Sequence, residues 1–257
     1  MKQFILPVPP DHFGQVRITG KDHHYLVNVR RMKKGSEIPA LLPSGDPVRV
    51  IANTITRQEI VFSVKPHIQS EDRTEIPRIV LMQAIPKGSK MDMITRQAVE
   101  CGVAEIVPFV SRHCVRRLSC TGSAQIERWR RIARNARQQS GSSVPTEIRN
   151  PVEMDGLFTL WEEFKAAGAT GFALHTEPLV YCALHGYLKD VTAFVVLVIG
   201  PEGGFSPVEA EEFISHGFKP LFFRGSVMRV ETTALYAIAA VRVLLLEKDS
   251  WVHIAKE

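Results

Sequence analysis

The sequence predicts an α/β fold, a mostly parallel sheet covered by helices on both faces, with a small β-barrel ahead of it. Three observations predict this. From residue 78 onward, strand and helix patterns alternate, which is the mark of βα units. Phe194–Ile199 is the most apolar run of the chain and suits a strand buried on both faces. Residues 1–70 instead hold short β segments at close spacing, as small barrels do.

The barrel strands are expected at 15–18, 37–42, 47–52 and 59–64. Turn signals separate them at Lys34-Gly35, Pro43-Ser44-Gly45-Asp46 and Thr56-Arg57-Gln58. A short helix is expected over 22–32. Residues 71–77 are charged, patternless and end in Pro77, so they read as a linker between a 1–70 domain and a 78–257 domain. In the second domain, strands are expected at 79–85, 105–110, 170–175, 193–199 and 221–224. Helices are expected at 87–101, 124–139, 206–216 and 231–248. The first of these has Met91, Ile94, Ala98 and Cys101 on one face and Gly102 as its stop.

Composition narrows the class. A length of 257 residues allows one large domain or two smaller ones. No run of 18 apolar residues exists, which argues against a spanning helix and a membrane role. The apolar stretch near Met1 is too short for a secretory signal. Cys101, Cys114, Cys120 and Cys182 form no Cys-x-x-Cys pair, so reduced thiols in a cytoplasmic protein and no metal are expected. The net charge of +5 is unevenly placed. Residues 1–70 hold ten Lys/Arg against five Asp/Glu, and residues 112–149 hold nine arginines against two glutamates. Residues 150–257 hold eight Lys/Arg against fourteen Asp/Glu. Clustered positive charge points to a bound polyanion, and the acidic part to a different role.

The segment Gly200-Pro201-Glu202-Gly203-Gly204-Phe205-Ser206 follows the most apolar strand and opens a helix. Ser206, Pro207 and Glu209 spell an N-cap, a first helical position and a capping box. A loop this poor in side-chain bulk lets backbone groups approach a ligand; an ordinary tight βα turn is the plainer alternative. Two further strand ends carry Leu174-His175-Thr176 and Phe223-Arg224-Gly225-Ser226-Val227-Met228-Arg229. Ligands of parallel sheets gather at carboxyl ends, so three such ends predict one pocket. Arg229 and Glu231 open the last helix, where a surface ion pair or helix-start electrostatics would also explain them. Gly-x-Gly-x-x-Gly, Walker, Gly-x-Ser-x-Gly and His-Glu-x-x-His signatures are missing.

Gly200–Ser206 followed by Met228-Arg229-Val230-Glu231-Thr232-Thr233-Ala234 resembles the ribosomal RNA small-subunit methyltransferase E family of SPOUT-class enzymes. Gln83-Ala84-Ile85-Pro86-Lys87-Gly88, Gln97–Val103, Ser111-Arg112, Arg128-Trp129, Gln138–Gly141 and His24-Tyr25-Leu26 fall in family order. Two positions depart from the pattern. Ser142 stands where the family has arginine, and Val230 lies in a segment the family writes Arg-Thr-Glu-Thr-Ala.

The resemblance implies a PUA-like RNA-binding barrel, a SPOUT α/β domain with a C-terminal trefoil knot, and a homodimer. It implies methyl transfer from S-adenosylmethionine to N3 of a uridine in 16S rRNA, within the assembled small ribosomal subunit. Arg229 is expected to stabilise the uridine anion, with Glu202 or Glu231 orienting it or accepting the proton. The expected cofactor contacts are Leu174, His175, Thr176, Ile199, Gly200, Pro201, Gly203, Gly204, Phe223, Gly225, Val227, Met228, Thr232 and Ala234. The expected RNA contacts are Lys2, Arg17, Lys21, Arg30, Arg31, Lys87, Lys90, Arg112, Arg116 and Arg117. The rival readings are a SPOUT enzyme acting on another RNA site or atom, and a non-catalytic RNA-binding assembly factor.

Overall fold

The computed structural model describes residues 4–66, 76–112, 122–175, 184–191 and 193–254. The chain forms two compact units, Met1–Arg73 with Arg137–Pro145, and Thr74–Ala136 with Thr146–Glu257.

The first unit is a five-stranded sheet. Its strands are β1 (Phe4–Ile5), β2 (Gln15–Thr19), β3 (Glu37–Leu41), β4 (Pro47–Ile55) and β5 (Glu59–Pro66), in the order β1-β3-β4-β5-β2. All neighbours are antiparallel except β1 with β3. Alternation sends Val48, Val50, Ala52, Ile60 and Phe62 into one core with Phe4 and Leu26. From sequence a helix is expected over 22–32, but α1 (Gly20–His24) passes into a π-turn over Tyr25–Val29. There the Arg30 N–H donates to Tyr25 O at 3.0 Å, five residues back. Arg31 then takes a φ of 52°, which ends helical geometry.

Residues 137–145 are expected from sequence in the second domain, yet they belong to the first unit. Hydrogen bonding explains this. The buried Arg137 guanidinium donates from Nη1 to Pro43 O (3.1 Å) and from Nε to Ser142 O (3.2 Å). Burial lowers its pKa below the usual arginine range. A Cβ on Gly45 would lie 1.9 Å from Ser143 O, so only glycine admits this approach.

The second unit is a seven-stranded sheet containing β6 (Arg78–Ala84), β7 (Glu105–Val110), β8 (Glu147–Ile148), β9 (Val152–Glu153), β10 (Thr170–Leu174), β11 (Phe194–Ile199) and β12 (Lys219–Leu221). The order is β12-β10-β11-β6-β7-β8, and β9 also pairs with β7. Every pairing is parallel. The helices are α2 (Lys90–Glu100), α3 (Ser123–Ser140), α4 (Met154–Ala166), α5 (Leu184–Leu188), α6 (Pro207–Ser215) and α7 (Val230–Ile254). One face of the sheet buries Ile79, Leu81, Val195 and Leu197 against Met91, Ile94, Trp129, Ala234 and Ile238. The other buries Val80, Met82, Val196 and Val198 against Leu157, Trp161, Phe164 and Phe213. The α/β class with a parallel sheet is therefore as expected. Among the described residues no helix is long and apolar enough to cross a membrane.

A strand is expected from sequence over 221–224, but β12 ends at Leu221. Its partner β10 ends at Leu174, which pairs with Leu221, so the ladder has no further edge to extend along. Phe222, Phe223 and Arg224 leave the sheet and become loop.

Candidate active site

Three chain segments leave the carboxyl edge of the sheet side by side. They are Leu174-His175 after β10, Ile199–Phe205 after β11, and Phe222–Arg229 after β12. Together they line one cavity of about 420 Å³, a volume in the range of small-molecule sites. His175 N–H donates to Leu221 O at 2.9 Å, which fastens the first segment to the third.

The β11 loop owes its shape to its glycines. Gly204 N–H donates to Pro201 O at 2.9 Å, and Gly204 holds φ at 67°, a region that costs other residues about 1 kcal/mol. A Cβ on Gly200 would lie 3.3 Å from the Gly204 carbonyl carbon. The loop thus folds back on its own backbone. Its exit is fixed by the capping box: Ser206 Oγ accepts from Glu209 N–H, and Glu209 Oε2 accepts from Ser206 N–H at 2.8 Å. The fully buried Glu209 also accepts the Arg112 N–H at Oε1, at 2.7 Å. One carboxylate therefore ties the end of β7 to the start of α6.

The expected cofactor residues Leu174, His175, Ile199, Gly200, Pro201, Gly204, Phe223, Gly225, Val227 and Met228 all line the cavity. Gly203 is exposed and Thr232 faces outward, and neither lines it. Ala234 is buried in the core beneath. Thr176 lies outside the described residues. Phe205, Phe222, Ser226, Val230 and Thr233 also line the cavity without being expected there. Phe205 and Ser226 belong to the segments that sequence singles out; Phe222 is hidden by the strand expected over 221–224. Val230 is buried where α7 begins, so its departure from the family pattern fills core space.

Charge at the cavity comes from Lys90, Glu202 and Arg229. Glu202 Oε1 accepts the Lys87 N–H at 3.0 Å and Lys90 Nζ at 2.5 Å. Burial alone would raise the Glu202 pKa. The Lys90 ammonium and the backbone N–H groups outweigh it and hold the carboxyl below the usual range. Arg229 is exposed and has no ion pair among the described residues. Its carbonyl accepts Thr233 N–H (2.8 Å) and Thr233 Oγ1–H (3.0 Å), which fixes its backbone at the start of α7. Glu231 does not line the cavity; its Oε2 is buried without a hydrogen-bond partner among the described residues.

The expected RNA contacts fare unevenly. Lys90 is bound to Glu202, and Arg112 Nη2 donates to Glu212 Oε1 at 2.6 Å. Arg17 stands 3.9 Å from Glu59, a separation worth little at an exposed site. Lys21, Arg30, Arg31 and Lys87 carry no ion pair among the described residues. Lys2, Arg116 and Arg117 lie outside the described residues.

Comparison with known proteins agrees with this architecture. Residues 74–242 match the RNA methyltransferase domain family. The ribosomal RNA small subunit methyltransferase E of Aquifex aeolicus is 30% identical over 71% of this chain and 77% of its own length. Ribosomal RNA small subunit methyltransferase E 2 of Borreliella burgdorferi is 28% identical over 88% of this chain and 89% of its own. The crystal structure of the Neisseria gonorrhoeae ribosomal RNA small subunit methyltransferase E bound to S-adenosyl methionine has the same fold. It superposes with a TM-score of 0.78 at 24% identity, over 95% of this chain and 98% of that one. With the cavity, its glycine loop and Arg229 at one sheet edge, these matches show that the chain belongs to the ribosomal RNA small subunit methyltransferase E family.

Proposed function

We propose that this protein transfers a methyl group from S-adenosylmethionine to N3 of a uridine in 16S rRNA of the small ribosomal subunit. The observation that carries the reading is the cavity formed by three strand ends, with Arg229 at its rim and in no ion pair among the described residues. The residues suit the cofactor. Phe205, Phe223, Val227 and Met228 offer apolar wall, and Gly200, Gly204 and Gly225 leave backbone groups uncovered. When bound, S-adenosylmethionine supplies a methyl group already activated on a sulfonium. What remains for the protein to supply is alignment and charge.

Uridine N3 loses its proton and takes the methyl group, so negative charge builds on the base. Arg229, which lines the cavity, is assigned the stabilisation of that charge. With it there, solvent at the open rim can take the proton. Glu202 is a poor base, because its lone pairs are engaged and its pKa is lowered. Its role is to hold the glycine loop against the start of α2. Glu231 lies outside the cavity and makes no ion pair with Arg229 among the described residues, so neither the orienting role nor the proton is assigned to it.

The first unit, as a PUA-like barrel, is assigned to RNA binding through Arg17, Lys21, Arg30 and Arg31. The C-terminal segment is assigned the family's trefoil knot. A homodimer is supported by α7, which leaves Tyr236, Val243 and Leu246 exposed after its other face is buried. Tyr236 meets the cavity wall edge-on at Phe223, with ring centroids 4.9 Å apart, so such an interface would abut the site. The protein is taken to act in the cytoplasm on assembled small subunits. Mass spectrometry of 16S rRNA from a strain lacking the gene tests the reading. One uridine should lose its N3-methyl group, and the wild-type gene should restore it; unchanged rRNA would refute the assignment.

A further inference from the structure

Gln83 lies near the carboxyl end of β6, opposite Ile199 of β11 in parallel register. Alternation along β6 puts it on the same face as Ile79 and Leu81, the face covered by α2 and α7. Those neighbours are apolar, and Gln83 is fully buried among them. A buried amide is costly unless its polar groups are used. Here Nε2 donates to Ala84 O at 2.9 Å, with Ile199 O and Gly200 O each 3.4 Å away. Oε1 has no partner among the described residues. Among the described residues the side chain therefore bonds through its donors alone. Those donors converge on the carbonyls at which β11 turns into the glycine loop, and Ile199 and Gly200 both line the cavity.

We propose that Gln83 is a positioning residue for the cofactor site. Its amide N–H groups draw the Ile199 and Gly200 carbonyls down toward β6 and so set the height of the glycine loop. This rests on the cofactor reading above. Side chains of similar size cannot replace it. A leucine or methionine has no donor, and a glutamate would place an acceptor against three acceptors.

The test uses the full-length protein, with S-adenosylmethionine affinity measured by calorimetry and unfolding followed by circular dichroism. Gln83→Met keeps the volume and removes the donors. Its Kd should weaken by about tenfold, the scale of one lost buried hydrogen bond, and KM for S-adenosylmethionine should rise with it while kcat changes less. Gln83→Glu supplies an internal control. Burial raises the pKa of the introduced acid, and only its protonated form can donate to a carbonyl. Its affinity should therefore recover as pH falls from about 8 to about 5.5, relative to wild-type protein. The wild type carries the same remaining charged and titratable side chains at the cavity, Lys90, Glu202, Arg229 and the His175 imidazole, and so serves as the reference. Wild-type Kd values in both variants across that range would overturn the proposal. So would an unchanged Kd with only a smaller active fraction. Wild-type protein that binds no S-adenosylmethionine would instead remove the reading on which the proposal rests.

Discussion

Arg229 has its backbone fixed and its side chain uncommitted. Thr233 takes up its carbonyl twice, while the guanidinium remains exposed at the cavity rim. If it stabilises a uridine anion, Arg229→Ala should lower turnover by roughly 10²–10³-fold, the usual loss for one preorganised donor. The Kd for S-adenosylmethionine should barely move, and rising pH should recover part of the rate as uridine ionises unaided. Near-normal turnover at neutral pH, measured on 30S subunits, would shift the assignment. Glu202 makes the opposite case, a charge fully committed. Its folded pKa is depressed, so its tether is intact above the ordinary carboxylate pKa and is lost as pH falls through the lowered folded value. Cofactor affinity should therefore drop only in distinctly acidic solution. Glu202→Gln, titrated by calorimetry, should already be weakened at neutral pH and should lack that acid step.

At the scale of elements, α6 depends on one buried carboxylate. Glu209 accepts from Ser206 N–H, Ser206 Oγ–H and Arg112 N–H. Glu209→Ala would orphan two backbone donors and cost about 2–6 kcal/mol, since each buried unsatisfied group costs about 1–3 kcal/mol. Urea denaturation should show it, whereas replacing the exposed neighbour Glu211 should change stability by less than about 0.5 kcal/mol. This helix is legible in sequence because Ser206, Pro207 and Glu209 each carry a local rule. Strands β6, β7 and β11 are legible because their apolar runs match burial on both faces. Helix α4 is not, although Leu157, Phe158, Trp161 and Phe164 recur at helical spacing. Its start has no side-chain cap at Glu153, and Gly156 sits in its first turn, so both boundary signals point away from a helix. Helix α5 is too short to show a period. The cavity is legible as three strand ends, but its outline is not. Gly203 and Gly204 are equivalent as letters, and only the turn geometry puts one at the wall and the other outside.

For the whole molecule, the proposed dimer rests on α7. Ala234, Ala237, Ile238, Val241 and Leu245 are buried against the sheet, while Tyr236, Val243 and Leu246 stay exposed on the other side. A two-fold interface through that stripe predicts a dimeric mass by light scattering, and Val243→Glu should shift it toward the monomer. A wild-type protein that stays monomeric across micromolar concentrations would contradict the interface. Residues 137–145 carry a different consequence. They continue α3 in sequence, yet Arg137 is held by Pro43, and the chain around Ser143 lies against Gly45. Cooperative opening follows contacts and not chain order. In hydrogen–deuterium exchange, amides of 141–144 should therefore gain deuterium in step with strands β3 and β4, while the first turns of α3 exchange with the parallel sheet. A protein cut at residue 73 would leave that short stretch without the partners that protect it, and its amides should then exchange at the rate of an unfolded chain.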